Sequence, residues 1–385
     1  MIDRKQYKHL VNEGLRRSPV TALLGPRQCG KTTLAGMIGD ERGAHYFDLE
    51  STVDRQRLEN PELMFDALSG LVILDEIQLM PKLFSVLRVV VDKKASQLQF
   101  LILGSASPEI IKNVSETLAG RVEFVELSGF DLGEIKNSAW REHWVRGGFP
   151  RSFLADSDAD SLAWREGFIR TFLERDIPQI GISIPPSSMR RFWTMLANYH
   201  GQIWNGSELG RAMGVSDKTV RSYLDLLTGT FMVRQLQPWY ENIKKRQVKS
   251  PKIYLRDTGI LHSLLQISGY HSLSGNPKIG ASWEGYIIEQ IMQGIRPPEA
   301  YFWATHSGAE IDLFLVYNNR RYGFEIKMTE TPKITKSMRV AGADLALDHT
   351  LIIYPGIHLY PMDKGITAVP FSKVPQLAET LNSLH

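Results

Sequence analysis

A chain of 385 residues with 43% hydrophobic content and a formal net charge of only +3 has an ordinary globular composition, long enough for two or three cores. That charge is too small to argue for nucleic acid by itself, so any basic surface must be local. The single cysteine, Cys29, excludes an internal disulfide and suits a reducing cytosol, while the charged start MIDRKQYKHLVNEGLRR and the lack of any run of about 18 apolar residues argue against secretion and membrane spanning.

Residues 19–25, PVTALLG, form a short apolar run ending in glycine, and KTTLAGMIG (31–39) has helical apolar spacing. Between them GPRQCGKTT satisfies G-x-x-x-x-G-K-[ST], and strand, glycine-rich turn, helix is the order that motif requires. The expected chemistry is ATP binding. The loop residues Gly25, Pro26, Arg27, Gln28, Cys29, Gly30 and Lys31 surround a β-phosphate at a helix N-terminus with their backbone N–H groups, which Pro26 alone lacks, and the macrodipole there favours anions. Lys31 reaches the β- and γ-phosphates, the Thr32 hydroxyl ligates Mg²⁺, and Thr33 completes the stretch. Cys29 adds no evident chemistry there.

Next in the chain, LVILDEIQ (71–78) runs four apolar residues into Asp75 and Glu76. An isolated DE after a strand reads as a helix N-cap. Beside a phosphate loop it reads as Asp75 in the Mg²⁺ shell and Glu76 polarising a water for attack on the γ-phosphate. A further buried strand, FLILGSAS (100–107), ends near Ser105, which either orients that water or is only a turn residue. A helix over ASPEIIKNVSETLAG then leads to Arg121 and the strand VEFVEL (122–127). An arginine at that point fits an arginine finger offered to a neighbouring subunit's γ-phosphate, or a surface salt bridge.

The ordered series GPRQCGKTT, LVILDEIQLMP, FLILGSAS, LAGR (118–121), GGFP (147–150) and FLERDI (172–177) resembles the motifs of a prokaryotic AAA-type ATPase family whose members carry a C-terminal domain of unknown function with restriction-endonuclease-like features. The resemblance covers nearly the whole chain. It implies an α/β fold with an AAA+-like parallel sheet and helical lid, and a homo-oligomer through the ATPase domain. It puts Arg121 in the arginine-finger position and GGFP in the lid, with Pro150 against adenine. Arg175 becomes a second trans-acting candidate, and Ser105 departs from the asparagine that many such ATPases carry.

Farther on, NGSELGRAMGVSDKTVRSYLDLLTGT (205–230) has a helix-turn-helix cadence, with Gly214 at the turn and Ser216 or Asp217 as cap. Lys218, Thr219 and Arg221 then lie near the start of the second helix, the part a recognition helix presents to a groove. Strand-like runs flank NIKKRQVK (242–249), the expected wing, and residues 241–256 hold six basic residues against one acid, Glu241. Lys244, Lys245, Arg246 and Lys249 are therefore candidates for DNA phosphate contact, although winged helices also serve as lids or protein contacts. Last, ASWEGYIIEQIMQGI (281–295) is an amphipathic helix carrying Glu284, and EIDLFLVYNNRRYGFEIKM (310–328) forms two strands about an Asn-Asn turn. Asp312 on one strand and Glu325 with Lys327 on the next resemble a PD-(D/E)xK phosphodiesterase core, with room for a second divalent metal and Glu284 as a further ligand. A cross-strand ion pair explains Glu325 and Lys327 but not Asp312 and Glu284.

The expected organisation is an ATPase core over 1–135, a helical lid over 136–184, a winged helix over 185–262 and a restriction-endonuclease-like domain over 263–385. The expected function is a cytoplasmic, DNA-stimulated ATPase. An ATP-gated endonuclease and a nucleotide-dependent switch that binds a protein partner are the alternatives.

Overall fold

Near-continuous apolar runs such as VTALLG are what a parallel sheet covered on both faces requires, and three such runs, Val20–Gly25, Gly70–Asp75 and Leu98–Ser105, build the centre of the first unit of the structure. The computed structural model describes residues 2–93, 97–105, 114, 116–179, 184–240 and 248–384. The chain divides into two units, Met1–Phe130 with Gly229–Phe231, and Asp131–Thr228 with Met232–His385.

In the first unit the strands are β1 (Val20–Gly25), β2 (His45–Asp48), β3 (Gly70–Asp75), β4 (Leu98–Ser105) and β5 (Val122–Glu126). They pair in the order β2-β3-β4-β1-β5, all parallel. Insertion of β4 between β1 and β3 sets the two strand ends that carry the phosphate loop and the acids one strand apart, at the same C-terminal end of the central strands. Alternate residues Ala22, Leu24, Val72, Leu74, Phe100 and Ile102 face one core with Leu83, Phe84 and Leu87 of the helix Lys82–Asp92. The helix Lys5–Arg17 buries Tyr7, Val11 and Leu15 at the period expected of an amphipathic helix. Most of the helix expected over ASPEIIKNVSETLAG lies outside the described residues.

In the second unit the helices Gly206–Met213 and Asp217–Gly229 flank a turn at Gly214, whose φ of 73° is the left-handed conformation that glycine tolerates. Asn205 caps the first helix, and Ser216 caps the second through the Thr219 N–H. The strands are β6 (Gln202–Ile203), β7 (Val233–Pro238), β8 (Lys252–Leu255), β9 (Ala300–Ala304), β10 (Glu310–Tyr317), β11 (Arg320–Ile326), β12 (His349–Tyr354), β13 (Tyr360–Asp363) and β14 (Ile366–Pro370). All nine belong to one sheet, ordered β13-β14-β12-β11-β10-β9-β7-β8-β6. The parallel pairing of Gln237–Pro238 with Tyr301–Phe302 carries that sheet across residues 262 and 263, where the sequence suggested a boundary. One apolar core follows it, from Trp144 through Leu236 and Tyr254 to Trp283, Ile287, Phe324 and Leu377. The hairpin from β10 to β11 turns on Asn318 and Asn319, both at positive φ (49° and 61°), as a two-residue turn matched to strand twist demands.

Candidate functional site

The phosphate loop begins where β1 ends. A Cβ on Gly25 would sit 2.0 Å from the Leu127 carbonyl oxygen, so the first glycine of the motif is required by close backbone approach. Gln28 (φ 62°) and Gly30 (φ 99°) supply the two left-handed turns that fold the loop back, and the helix Lys31–Arg42 starts at once. Lys31 is buried, and its Nζ donates to the carbonyls of Gly25 (2.9 Å) and Pro26 (2.8 Å). Thr32 and Thr33 lie on the exposed face of the helix start, while Leu34, Ala35 and Ile38 face inward. Cys29 is buried with its thiol 3.5 Å from the Leu127 carbonyl, a small residue filling the floor of the loop.

Arg4, which stands in no motif, holds the loop from behind. Its guanidinium donates to the carbonyls of Cys29 (3.1 Å), Ser128 (3.0 Å) and Gly129 (2.9 Å) and stacks over Tyr7 and Phe130. Arginine's planar fork suits this three-way grip, which a lysine would not reproduce.

At the end of β3, Asp75 is buried and fully engaged. Its Oδ2 accepts from the Thr32 hydroxyl (2.8 Å) and from the Tyr46 hydroxyl (2.6 Å), and its Oδ1 accepts from the Glu76 N–H (2.9 Å). Burial, together with the hydrogen bond to Asp75, pushes the Tyr46 hydroxyl far above the usual tyrosine range, so it acts as a fixed donor. Tyr46 is the second residue the sequence did not reveal. Glu76 adopts φ 55°, ψ 48°, a left-handed conformation uncommon for glutamate, and Gln78 donates to its Oε2. Ser105 ends β4 abreast of Gly25.

Arg121 pairs with Asp92 through two bonds, Nε to Oδ1 at 2.7 Å and Nη2 to Oδ2 at 2.8 Å, and donates to the Ala119 carbonyl. The salt-bridge reading is thus realised within the chain. In the second unit, Pro150 opens the short helix Pro150–Phe153. The preceding turn is fixed by Asp257, which accepts from the Gly148 N–H at 2.8 Å. Arg175 lies on the exposed face of a π-helical turn, Phe172–Asp176.

Of the DNA-contact candidates, Lys218 and Arg221 are exposed on the helix Asp217–Gly229, Arg221 pairing with Asp225 at 3.1 Å, and the Thr219 hydroxyl is 2.9 Å from the capping Ser216. Lys249 is exposed, 5.8 Å from the Tyr240 ring centroid. Lys244, Lys245 and Arg246 lie outside the described residues. Two of the six basic residues in the 241–256 stretch turn inward instead. Arg256 joins Arg234 on the buried carboxylate of Glu289, and Lys252 is only 4% exposed.

The second unit also brings Glu284, Asp312, Glu325 and Lys327 into one charged cluster, with Lys252, Tyr254 and Glu310 added. Lys252 Nζ lies 3.2 Å from Glu284 Oε1 and also pairs with Glu310; Tyr254 donates to Glu284 Oε1 at 2.5 Å. Asp312 Oδ2 accepts from the Ile326 N–H at 2.8 Å, and Lys327 pairs with Glu325 at 2.5 Å. Burial, reinforced by Glu284 and Glu325, raises the Asp312 carboxyl well above the usual range. Burial also raises Glu325, against the pull of Lys327. Burial opposes the Lys252 charge, but Tyr254, Glu284, Asp312 and Glu310 outweigh it and hold the ammonium protonated. The second divalent metal expected here does not fit this donor set: among the described residues no group of three or more His, Cys, Asp or Glu side chains is placed to hold a metal ion.

A parallel sheet ordered β2-β3-β4-β1-β5, with a Lys-Thr loop at the end of β1 and an Asp-Glu pair at the end of β3, defines a AAA-type P-loop ATPase fold, and a family described as an AAA domain matches residues 17–136. Two families described as domains of unknown function, DUF8612 and DUF4143, match residues 137–271 and 279–374. The chain belongs to the family of two bacterial proteins, Uncharacterized protein Rv2008c of Mycobacterium tuberculosis (strain ATCC 25618 / H37Rv) and Uncharacterized protein Mb2031c of Mycobacterium bovis (strain ATCC BAA-935 / AF2122/97). It is 50% identical to each over 374 residues, which is 97% of this chain and 85% of theirs. Among solved structures it is similar to the Walker-type ATPase PABY2304 of Pyrococcus abyssi, with a TM-score of 0.50 and 14% identity over 69% of this chain and 96% of that one, a likeness of fold alone. Among the described residues no helix is long and apolar enough to cross a membrane.

Proposed function

We propose that this chain hydrolyses ATP at the loop of the first unit and works on DNA through the second, in the cytoplasm. The observation that carries the ATPase reading is the meeting of the two motifs: the Thr32 hydroxyl beside Lys31 donates to the Asp75 carboxylate beside Glu76 at 2.8 Å, which brings together the two side chains that would hold one ion. Thr32 and Asp75 would hold Mg²⁺, which when bound would supply positive charge to the β- and γ-phosphates. Lys31 exchanges its loop carbonyls for phosphate oxygens, and Glu76, once free of Gln78, orients the attacking water. Arg121 leaves Asp92 for the γ-phosphate of a neighbouring copy, and Pro150 lies against adenine. Exposed Lys218, Arg221 and Lys249, with Lys244, Lys245 and Arg246 beside them in sequence, support phosphate contact with DNA.

The test is ATP turnover against duplex, single-stranded and branched DNA. Lys31→Ala and Glu76→Gln should each lower turnover by about 100-fold or more. DNA should raise it in the wild type, less so as salt increases. Turnover indifferent to every DNA would remove the DNA half of the reading and leave the ATPase half standing.

One observation favours a second reading, a slow nucleotide-dependent switch. Gln78 holds Glu76 and Asp92 holds Arg121, so both groups needed for turnover are engaged elsewhere in the chain. Retention of ATP through many minutes, with no salt-dependent binding of labelled DNA, would decide for it.

A further inference from the structure

The seven residues Lys252, Tyr254, Glu284, Glu310, Asp312, Glu325 and Lys327 form a site whose ligand set resembles a metal-dependent phosphodiesterase and whose bonding does not. A hard divalent cation needs about six oxygen ligands, several of them carboxylate oxygens with a lone pair free to point inward. Here one oxygen of each carboxylate is turned to a protein donor. Glu284 Oε1 is shared by Lys252 and Tyr254, and Glu310 is taken by Lys252 as well. Asp312 Oδ2 is taken by the Ile326 backbone, and Glu325 Oε1 by Lys327. Glu325 Oε2 is sealed from solvent without a hydrogen-bond partner. Among the described residues no three His, Cys, Asp or Glu side chains stand where they could share one ion, so the cluster offers no coordination shell.

Lys252 is the residue that makes the difference. It comes from β8, outside the strand pair that carries the expected signature, and it is 4% exposed with its Nζ 5.6 Å from the Phe302 ring centroid. We propose that the Lys252 ammonium is the resident cation of this cluster, so that the C-terminal part of the second unit holds a restriction-endonuclease-like constellation closed to divalent metal. Its charge does by a covalently tethered group what a bound ion does elsewhere: it neutralises buried carboxylates that would otherwise repel one another. Metal-dependent phosphodiester cleavage is then not an activity of this site, independently of whether the first unit hydrolyses ATP.

The experiment is a Mn²⁺ titration followed by electron paramagnetic resonance, on the nucleotide-free full chain. Four forms are compared: wild type, Asp312→Asn, Lys252→Met, and the Lys252→Met/Asp312→Asn double variant. Any Mn²⁺ bound near Thr32 and Asp75 is common to all four and cancels. The wild type and Asp312→Asn should bind equal amounts. Lys252→Met, which keeps length and removes charge, should gain one site, and the double variant should lose it. A wild-type site abolished by Asp312→Asn overturns the proposal, and so does a folded Lys252→Met protein that gains no site. If Lys252→Met fails to fold by circular dichroism, the comparison of wild type with Asp312→Asn decides alone.

Discussion

Tyr46 is the residue on which Asp75, the acid proposed to hold Mg²⁺, depends without being part of any motif. Its hydroxyl and that of Thr32 share one oxygen of Asp75, so removing it leaves that carboxylate with freedom it lacks in the native chain. Outer-shell partners of metal ligands are worth about 10- to 100-fold in metal affinity. Tyr46→Phe should therefore raise the Mg²⁺ concentration for half-maximal ATP turnover by about that factor, with little change in turnover at saturating Mg²⁺; an unchanged Mg²⁺ dependence would remove Tyr46 from the site. Lys31, Thr32, Asp75 and Glu76 were legible because they stand in short contiguous patterns. Tyr46 and Arg4 were not, since they meet their partners across 29 and 25 positions of chain and bring no pattern of their own. Lys252 was legible only as one charge of a basic stretch, because a strand's period does not say which of its faces a neighbouring helix will cover.

Elements that alternate or repeat strongly in sequence, β1, β3, the helix Asp217–Gly229 and the Asn-Asn hairpin, fold where the pattern puts them. What the pattern does not carry is how elements are fastened to each other. The hairpin of β7 and β8 is tied to the helix Ile279–Ile295 by Glu289, which is 2% exposed and accepts from Arg234 and from Arg256 at 3.2 Å. Burial alone would raise the Glu289 carboxyl, yet the two guanidinium groups hold it below the usual range. Truncating one member of such a buried group leaves unpaired charge behind, at a cost of about 3–5 kcal/mol. Glu289→Ala should accordingly lower the free energy of unfolding by that amount in a denaturant titration, and a loss under about 1 kcal/mol would mean the triad is idle.

For the molecule as a whole, acid sensitivity follows from two buried histidines of the second unit. Burial, with His262 adding to it, pushes His200 down from 6.5 to about 3, and burial pushes His262 down to about 4. His262 is locked between the Val145 carbonyl (2.9 Å) and the Ser282 hydroxyl (2.8 Å), and His200 accepts from the Leu255 N–H at 2.9 Å. Both are neutral in the fold and protonate in the unfolded chain below about pH 6.5, so the unfolded state takes up protons first. The stability they contribute is complete above that value and is lost as pH falls toward about 4 for His262 and about 3 for His200. Melting temperature should drop steadily from about pH 6.5 to about pH 5, above the ordinary carboxylate range, and a flat profile there would contradict it.

The pairing of β7 with β9 makes dissection of this chain a question of where an edge is left bare. Cutting after residue 262 would strip the Gln237–Pro238 partner from Tyr301–Phe302 and expose a row of backbone donors and acceptors beside Trp303, flanked by aromatic side chains. A fragment of residues 263–385 should therefore associate or precipitate, whereas one beginning at residue 131 should stay monodisperse in sedimentation velocity. The same seam constrains how the chain could have been assembled: the segment carrying the helices Gly206–Met213 and Asp217–Gly229 could not simply be hung on a finished α/β sheet, because β7 and β8, which follow those helices, are themselves members of that sheet.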